Sequence, residues 1–409
     1  MNKNYKILIV SHQFTPHVSP RTTRWKLIVE ELISLGHQVT VITGTKQVQE
    51  DKDVNIIYVG NKNTSNIVRN FREKSNNLTN TNLFKRIFYN SLKKIYRFIV
   101  KTFAWPDYSM FWLISIYRNR KKLKLDYDLL ITVSLPFSSH IAGYLINKKN
   151  NKKWMMDIGD PFTLKKDAPE NNYLLYGALN KYFENKLYSL ADKIMFTHND
   201  ALYTHKEYFK LPDGKVIVAN PISKFDKDIY QKSLNYNYNS LPIKFGYFGI
   251  FTKGVRSPIN FLETLENKKN IEFHWYLNND SKSEIIFDNQ ESESIVHSIV
   301  PRNKALNIMA ESMHCLLSIG NLNPTQLPSK VIEYISTGKP VVHFAEIEND
   351  PVIKIANDFD NLFIITSKTN LDKFFIELTD YFKSVSTFNK NLFIEQYTST
   401  SIIKLLNLS

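Results

Sequence analysis

KILIVSHQFTPHVSPRTTRWKLIVEELISLGHQVTVIT, residues 6–43, decides the fold. The apolar run Ile7 to Val10 leads into a polar loop, a helical pattern follows from Arg24 to Leu35, Gly36 stops it, and QVTVIT closes the stretch. Strand, loop, helix, glycine stop and strand make a βαβ unit. Further apolar runs stand at NIIYV (55–59), LLITVS (129–134), KWMMDI (153–158), KIMFT (193–197) and KVIVAN (215–220), with helical patterns between several of them. The expectation is an α/β fold, an open parallel sheet covered on both faces.

After Asn220 the composition shifts. SKFDKDIYQKSLNYNYNS (223–240) is polar without a sustained period and reads as a linker. A second series follows: IKFGYFGIF (243–251), a helix near 258–267, then IEFHWYL (271–277), SIVHSIV (294–300), HCLLSIG (314–320), PVVHF (340–344) and FIITS (363–367). Two doubly wound, Rossmann-like domains are expected, 1–222 and 223–385, with a C-terminal helix in 386–409 packing back toward the first. A chain of 409 residues is also longer than one hydrophobic core usually supports.

The 53 Lys and Arg against 39 Asp and Glu give +14, enough to concentrate anions near the surface. The lone Cys315, in the apolar run MHCLLSI, excludes an internal disulfide and a cysteine-built metal site. Ile7 to Val10 is too short for a signal-peptide core, and no apolar run reaches the ~18 residues that span a bilayer. A reduced, cytoplasmic protein is expected.

The segment 83–125 breaks the alternation of strands and helices. Phe84, Ile87, Phe88, Leu92, Ile95, Phe98 and Ile99 recur at three- and four-residue steps, while Lys85, Arg86, Lys93, Lys94 and Arg97 fill much of the remainder. That pattern suits a helix in a membrane interface, and equally a helix packed on its own domain with solvated lysines.

The chemistry concentrates in NPTQLPSKVIEYISTGKPVV, residues 323–342. In open α/β sheets ligands collect beyond the carboxyl ends of the strands, where HCLLSIG delivers the chain. A helix beginning near Pro328 to Lys330 offers free N–H groups and the positive end of its dipole to an anion. Lys330 is a poor occupant of that end unless an anion sits opposite. Glu333, one turn further on the same face, has a carboxylate able to accept from the two vicinal hydroxyls of a ribose. Together with Ser329 they describe a nucleotide diphosphate site; the same spacing also makes an ordinary i,i+3 surface ion pair.

The run P-S-K-x-x-E-Y-x-x-x-G-K-P-V-V resembles the donor-binding motif of group 1 (GT4-like) glycosyltransferases, the retaining GT-B enzymes that use nucleotide-diphosphate sugars. Residues 6–44 resemble their first βαβ unit, DYDLLITVSLPFSSHIAGYLINKKNNKKWMMDIGDPF their acceptor-side strands, ADKIMFTHND with KVIVANPIS the end of their first domain, and GYFGIFTKGVRSP the opening of the second. The resemblance implies two Rossmann-like domains facing a central cleft. It implies ribose binding by Glu333 and diphosphate contacts from Lys330, with Lys253 and Arg256, after the strand that ends at Gly249, neutralising the leaving group.

The chain departs from the pattern in several places. Ile250 stands where an arginine is usual, Thr325 beside Gln326 replaces a second glutamate that touches the sugar, and Ser19 with Pro20 replaces a glycine pair, with Arg21 nearby either compensating or solvated. Gly159 occupies the place of an acceptor-side histidine, which leaves Asp157 and Asp160 to orient an acceptor hydroxyl or stabilise an oxocarbenium-like centre. Asp160 also fits as a turn residue before Pro161. His12, His140 and Asp107 are further candidates on the acceptor side. DKD (51–53) and DFD (358–360) lie outside a suitable strand-end loop, so no metal and no cofactor are expected.

The expected activity is metal-independent transfer, with retention, of a sugar from a UDP- or GDP-linked donor to a lipid-linked saccharide at the inner face of a bacterial membrane. The partners are the nucleotide sugar, the lipid-linked acceptor and an anionic membrane surface, and no nucleic acid. The alternatives are a same-fold sugar-nucleotide epimerase or hydrolase, and a catalytically decayed protein that binds membrane surfaces.

Overall fold

Ser19 starts the first helix. Its hydroxyl accepts from the Thr22 N–H at 3.2 Å and Pro20 takes the first helical position, so the helix α1 (Pro20–Ser34) begins four residues before the expected Arg24. Trp25, Ile28, Val29 and Leu32 form its buried stripe. Gly36, at φ +86°, ends it in a conformation that a side chain would strain.

In this computed structural model the described residues are 4–17, 19–46, 54–60, 98–123, 125–166, 169–251, 254–265, 268–285, 293–322, 327–383 and 388–408. The basic stretch 83–97 lies outside them, as do Lys253, Thr325 and Gln326. The chain divides into two units, residues 1–219 with 403–409, and residues 220–402.

The first unit holds a seven-stranded sheet of β1 (Lys6–Val10), β2 (Gln38–Thr43), β3 (Asn55–Tyr58), β4 (Leu129–Val133), β5 (Lys153–Ile158), β6 (Lys193–Phe196) and β7 (Val216–Val218). Every pairing is parallel, in the order β3-β2-β1-β4-β5-β6-β7. β4 is buried along its whole length, as a strand covered on both faces must be. Further helices are α2 (Met110–Asn119), α3 (Ser138–Asn147), α4 (Tyr173–Leu190) and α5 (Asn199–Phe209). The winding reverses between β1 and β4, which opens a ligand crevice at their carboxyl ends.

The second unit opens with α6 (Lys227–Leu234), where a linker was expected. Asp226 caps it, accepting from Asp228 N at 3.0 Å and Ile229 N at 3.2 Å. The helix owes its place to tertiary packing: Tyr230 meets the Phe225 and Phe388 rings, and a Cβ on Gly338 would come within 2.5 Å of it.

β8 (Ile243–Gly249), β9 (Ile271–Leu277), β10 (Glu293–Ser298), β11 (Cys315–Ile319), β12 (Val341–Phe344) and β13 (Leu362–Ile365) form a six-stranded sheet, again parallel throughout, in the order β10-β9-β8-β11-β12-β13. Its helices are α7 (Ile259–Thr264), α8 (Arg302–Ser312), α9 (Ser329–Ile335), α10 (Pro351–Ile355), α11 (Leu371–Lys383) and α12 (Lys390–Tyr397), with α13 (Ser399–Leu405) after them. This sheet reverses between β8 and β11. The expected terminal helix is therefore a pair, and the last residues belong to the first unit, where Leu408 O lies 2.8 Å from His37 Nε2. No helix among the described residues is long and apolar enough to cross a membrane.

Candidate functional site

Most of the acceptor-side residues named from the sequence stand at the carboxyl edge of the first sheet. Asp157, fully buried near the end of β5, accepts from Trp25 Nε1 at 2.6 Å, and its Oδ2 lies 3.1 Å from Arg21 Nη2 and 3.8 Å from Arg24 Nε. Arg21 also donates from Nε to Ser134 O at 2.7 Å and from Nη2 to Asp157 O at 3.2 Å, stitching the ends of β4 and β5 together. Arg24 donates to Ala219 O at 2.9 Å, and burial pulls its guanidinium down to about 10 despite Asp157.

Gly159 has a physical explanation here. A Cβ on it would lie 2.4 Å from Arg21 Nε, so the space a side chain would fill belongs to the Arg21 guanidinium.

Asp160 is partly open, with Lys165 Nζ at 3.4 Å, and the same ammonium stands 3.6 Å from Glu170. Burial raises the Glu170 carboxyl above its ordinary value. Lys165 and Glu170 were missed in the sequence, where KKDAPE is an unremarkable run of charges.

The other acceptor-side candidates face inward. Asp107, fully buried, accepts from Ser109 N and Oγ and from Ser138 N and Oγ at 2.6–2.9 Å, and so caps α3 from thirty-one residues away. His140 is fully buried, its Nδ1 2.7 Å from Thr132 Oγ1, and burial pushes it down to about 3. His12 lies edge-on to Trp112 and Tyr108, and burial lowers it to about 4.

The donor-side candidates among the described residues stand at the carboxyl edge of the second sheet. α9 is anchored by buried Val331, Ile332, Tyr334 and Ile335, and the Tyr334 hydroxyl accepts from Phe248 N at 3.0 Å and donates to Phe248 O at 3.2 Å. That fastening on β8 sets Glu333 on the opposite side of the helix. Its Oε1 accepts from Arg302 Nε at 2.7 Å and its Oε2 from Lys330 Nζ at 3.4 Å. The carboxylate is the enclosed partner, 15% exposed, against 42% for Arg302 and 45% for Lys330.

Ser329 is the first residue of α9, and Pro328 precedes it at φ −63°, ψ 117°, with no side-chain cap. α9 is only seven residues long, so its dipole is a small part of the local field. Gly249 ends β8, and beyond it Arg256 donates to Asn321 Oδ1 from Nη2 at 2.8 Å and from Nε at 3.2 Å. Leu322 N donates to Val255 O at 2.9 Å, so the loops after β8 and β11 are joined at the switch point. Beneath them Ser318, His343 and Asp350 form a buried string, His343 lying 3.0 Å from Ser318 Oγ and 3.1 Å from Asp350 Oδ2, which fixes the ends of β11 and β12.

Arg302 and Asn321 were missed. The signal for Arg302 was present: it follows Pro301 as a cation at the start of a helix whose first turn holds no acid, the misplacement that singles out Lys330. Among the described residues no group of three or more His, Cys, Asp or Glu is arranged to hold a metal ion.

No family model and no curated protein matches the sequence. The fold, however, is shared with solved glycosyltransferases. Anabaena HepE, solved with UDP-glucose, is 11% identical with a TM-score of 0.59 over 99% of this chain and 98% of its own. A glycosyltransferase from Rickettsia africae is 13% identical, TM-score 0.57, over 99% and 97%. The trehalose 6-phosphate synthase of Burkholderia multivorans is 12% identical, TM-score 0.55, over 99% and 93%. At these identities the likeness establishes the fold, two parallel α/β units of the GT-B kind.

Proposed function

We propose that the chain is a metal-independent glycosyltransferase of the group 1, GT4-like kind. It moves a sugar, with retention, from a UDP- or GDP-linked donor to a lipid-linked saccharide in bacterial surface polysaccharide synthesis, from the cytoplasmic face of the membrane. The observation that carries this reading is the Glu333 carboxylate, held between Arg302 and Lys330 beyond the carboxyl edge of the second sheet. An ionised carboxylate has about four lone-pair sites. The two cations use two, and the remaining pair suits the two hydroxyls of a ribose.

Bond cleavage in the donor leaves negative charge on a diphosphate, which Lys330 and Arg256 stabilise as it develops. In this mechanism the leaving phosphate takes the acceptor proton. Asp160, more open than Asp157 or Asp107, orients the acceptor hydroxyl. Titration calorimetry with UDP and GDP tests the donor site: the parent binds one of them, Glu333→Ala does not, and a parent that binds neither ends the reading. A screen of nucleotide sugars then separates transfer from the release of free sugar or of an epimer.

A surface of the first unit supports the lipid part of this reading. Leu174 is 96% exposed and Phe103 71%, and Phe98, Phe111, Leu175 and Tyr182 are exposed as well. Asn172 N donates to Lys101 O at 2.7 Å and Tyr176 Oη to Thr102 O at 3.0 Å, so residues 98–103 are tied to the start of α4. In residues 98–123 and 173–190 the acids are Asp107 and Glu184, both buried, while the same stretches carry Lys101, Arg118, Arg120, Lys181 and Lys186. Exposed apolar side chains on stretches whose accessible charge is basic fit an anionic bilayer surface. The parent should float with phosphatidylglycerol vesicles, and Leu174→Ser with Phe103→Ser should sediment; equal flotation of the two would retire the membrane role.

A further inference from the structure

We infer that Arg302 is a positioning residue of the nucleotide site, which neutralises and aims the Glu333 carboxylate so that an acid can stand beside a diphosphate. The inference rests on the nucleotide reading above and adds to it a residue from another part of the chain.

A carboxylate that grips a ribose must lie close to the phosphates of the same nucleotide, and like charges at that range repel. Glu333 alone would weaken the binding it is meant to provide. Lys330 meets one carboxylate oxygen at 3.4 Å, a long contact for an ammonium. Arg302 meets the other at 2.7 Å, a short charge-assisted bond. With both in place the trio carries one net positive charge instead of one negative, and the carboxylate is fixed from the side that Lys330 leaves open.

The placement of Arg302 has no counterpart in the needs of the fold. It is the first residue of α8, where the helix dipole disfavours a cation, and no acid stands in that turn to offset it. Its side chain is 42% exposed, and an ion pair that open contributes little to stability. Two cations at the amino ends of two different helices therefore converge on one enclosed carboxylate. A surface ion pair formed for stability would not need that arrangement.

The test uses the full chain and UDP, by titration calorimetry at pH 7.5, on the parent, Arg302→Met, Arg302→Lys, Glu333→Gln and the Arg302→Met/Glu333→Gln double variant. Arg302→Met should melt like the parent and bind UDP about tenfold more weakly at pH 7.5. Arg302→Lys should recover most of the affinity, and in the Glu333→Gln background the loss of Arg302 should have little further effect. The inference falls if Arg302→Met binds UDP within twofold of the parent, or if its effect persists undiminished once Glu333 is Gln. A parent that binds neither UDP nor GDP overturns the nucleotide reading and this inference with it, which is a separate outcome from a parent that binds and a variant that binds equally.

Discussion

At the carboxyl edge of the first sheet, Asp157 is sealed from solvent and shared by Arg21, Arg24 and Trp25. At the corresponding edge of the second, Glu333 is 15% exposed and touched by two cations that are themselves nearly half open. Both acids stand near the switch point of a parallel sheet and both are paired with two basic side chains. One set of charges is consumed in tying strands and a helix together, and the other is still available to a ligand. Residue type and position at a strand end are therefore insufficient to mark a reactive group; what separates the two is whether the carboxylate and its cations remain open to solvent.

The largest expected effect tests the first half of that contrast. Asp157→Ala leaves two guanidinium groups facing each other in the interior and should destabilise the chain by about 3–5 kcal/mol in urea unfolding. A loss under 1 kcal/mol would mean the cluster is not structural. In the second unit, Glu333→Ala and Lys330→Ala should each lower turnover on a nucleotide sugar by a factor on the order of 10² with a nearly unchanged melting temperature, since under the proposed function each removes a charged contact to the donor. Activity within twofold of the parent would erase the distinction between the two edges.

Gly159→Ala sharpens the account of Arg21. A methyl group there must displace a guanidinium bonded to Ser134 O and Asp157, and an overpacking cost of about 1–3 kcal/mol is expected. Gly159→Ala combined with Arg21→Ala should lose less than the two single variants summed.

The smallest effect is in acid. Burial holds His12 at about 4 and His140 at about 3, below the ordinary imidazole value near 6.5. The unfolded chain therefore takes up protons first, and this contribution to stability is complete above about pH 6.5 and lost as the pH falls toward 4. Asp107 and Glu170, raised by burial, act in the opposite direction at lower pH. Between pH 7.5 and 5 the melting temperature of the parent should fall by a few degrees more than that of His140→Gln; equal slopes would mean that His140 does not enter its pocket neutral.

Much of the donor edge was legible because its signals are local. The spacing of Lys330 and Glu333, the proline before them and the strand that delivers the chain all lie within about twenty residues, and helical periodicity places the two side chains on one face. Arg302 carried the same sign, a cation at a helix start, but nothing along the chain links it to Glu333. On the acceptor edge Asp107 was legible as a polar residue and its role was not: its partners are Ser109 and Ser138, and only the path of the chain brings Ser138 to it. Residues 223–240 were read as a linker because α6 spans just over two turns, with its apolar residues too few to give a period, and because its partner Phe388 lies far along the chain.

The sequence by itself determined two series of buried parallel strands, their glycine and proline punctuation, the surplus of positive charge and a lysine–glutamate pair at one helix start. These follow from periodicity, backbone geometry and charge, all of which act over a few residues. Only the tertiary structure decided which ionisable groups are enclosed and which remain open, that Gly159 is room for Arg21, and that Arg302 meets Glu333. Burial and charge pairing depend on residues far apart in the chain, and it is the closing of the sheets that brings them together.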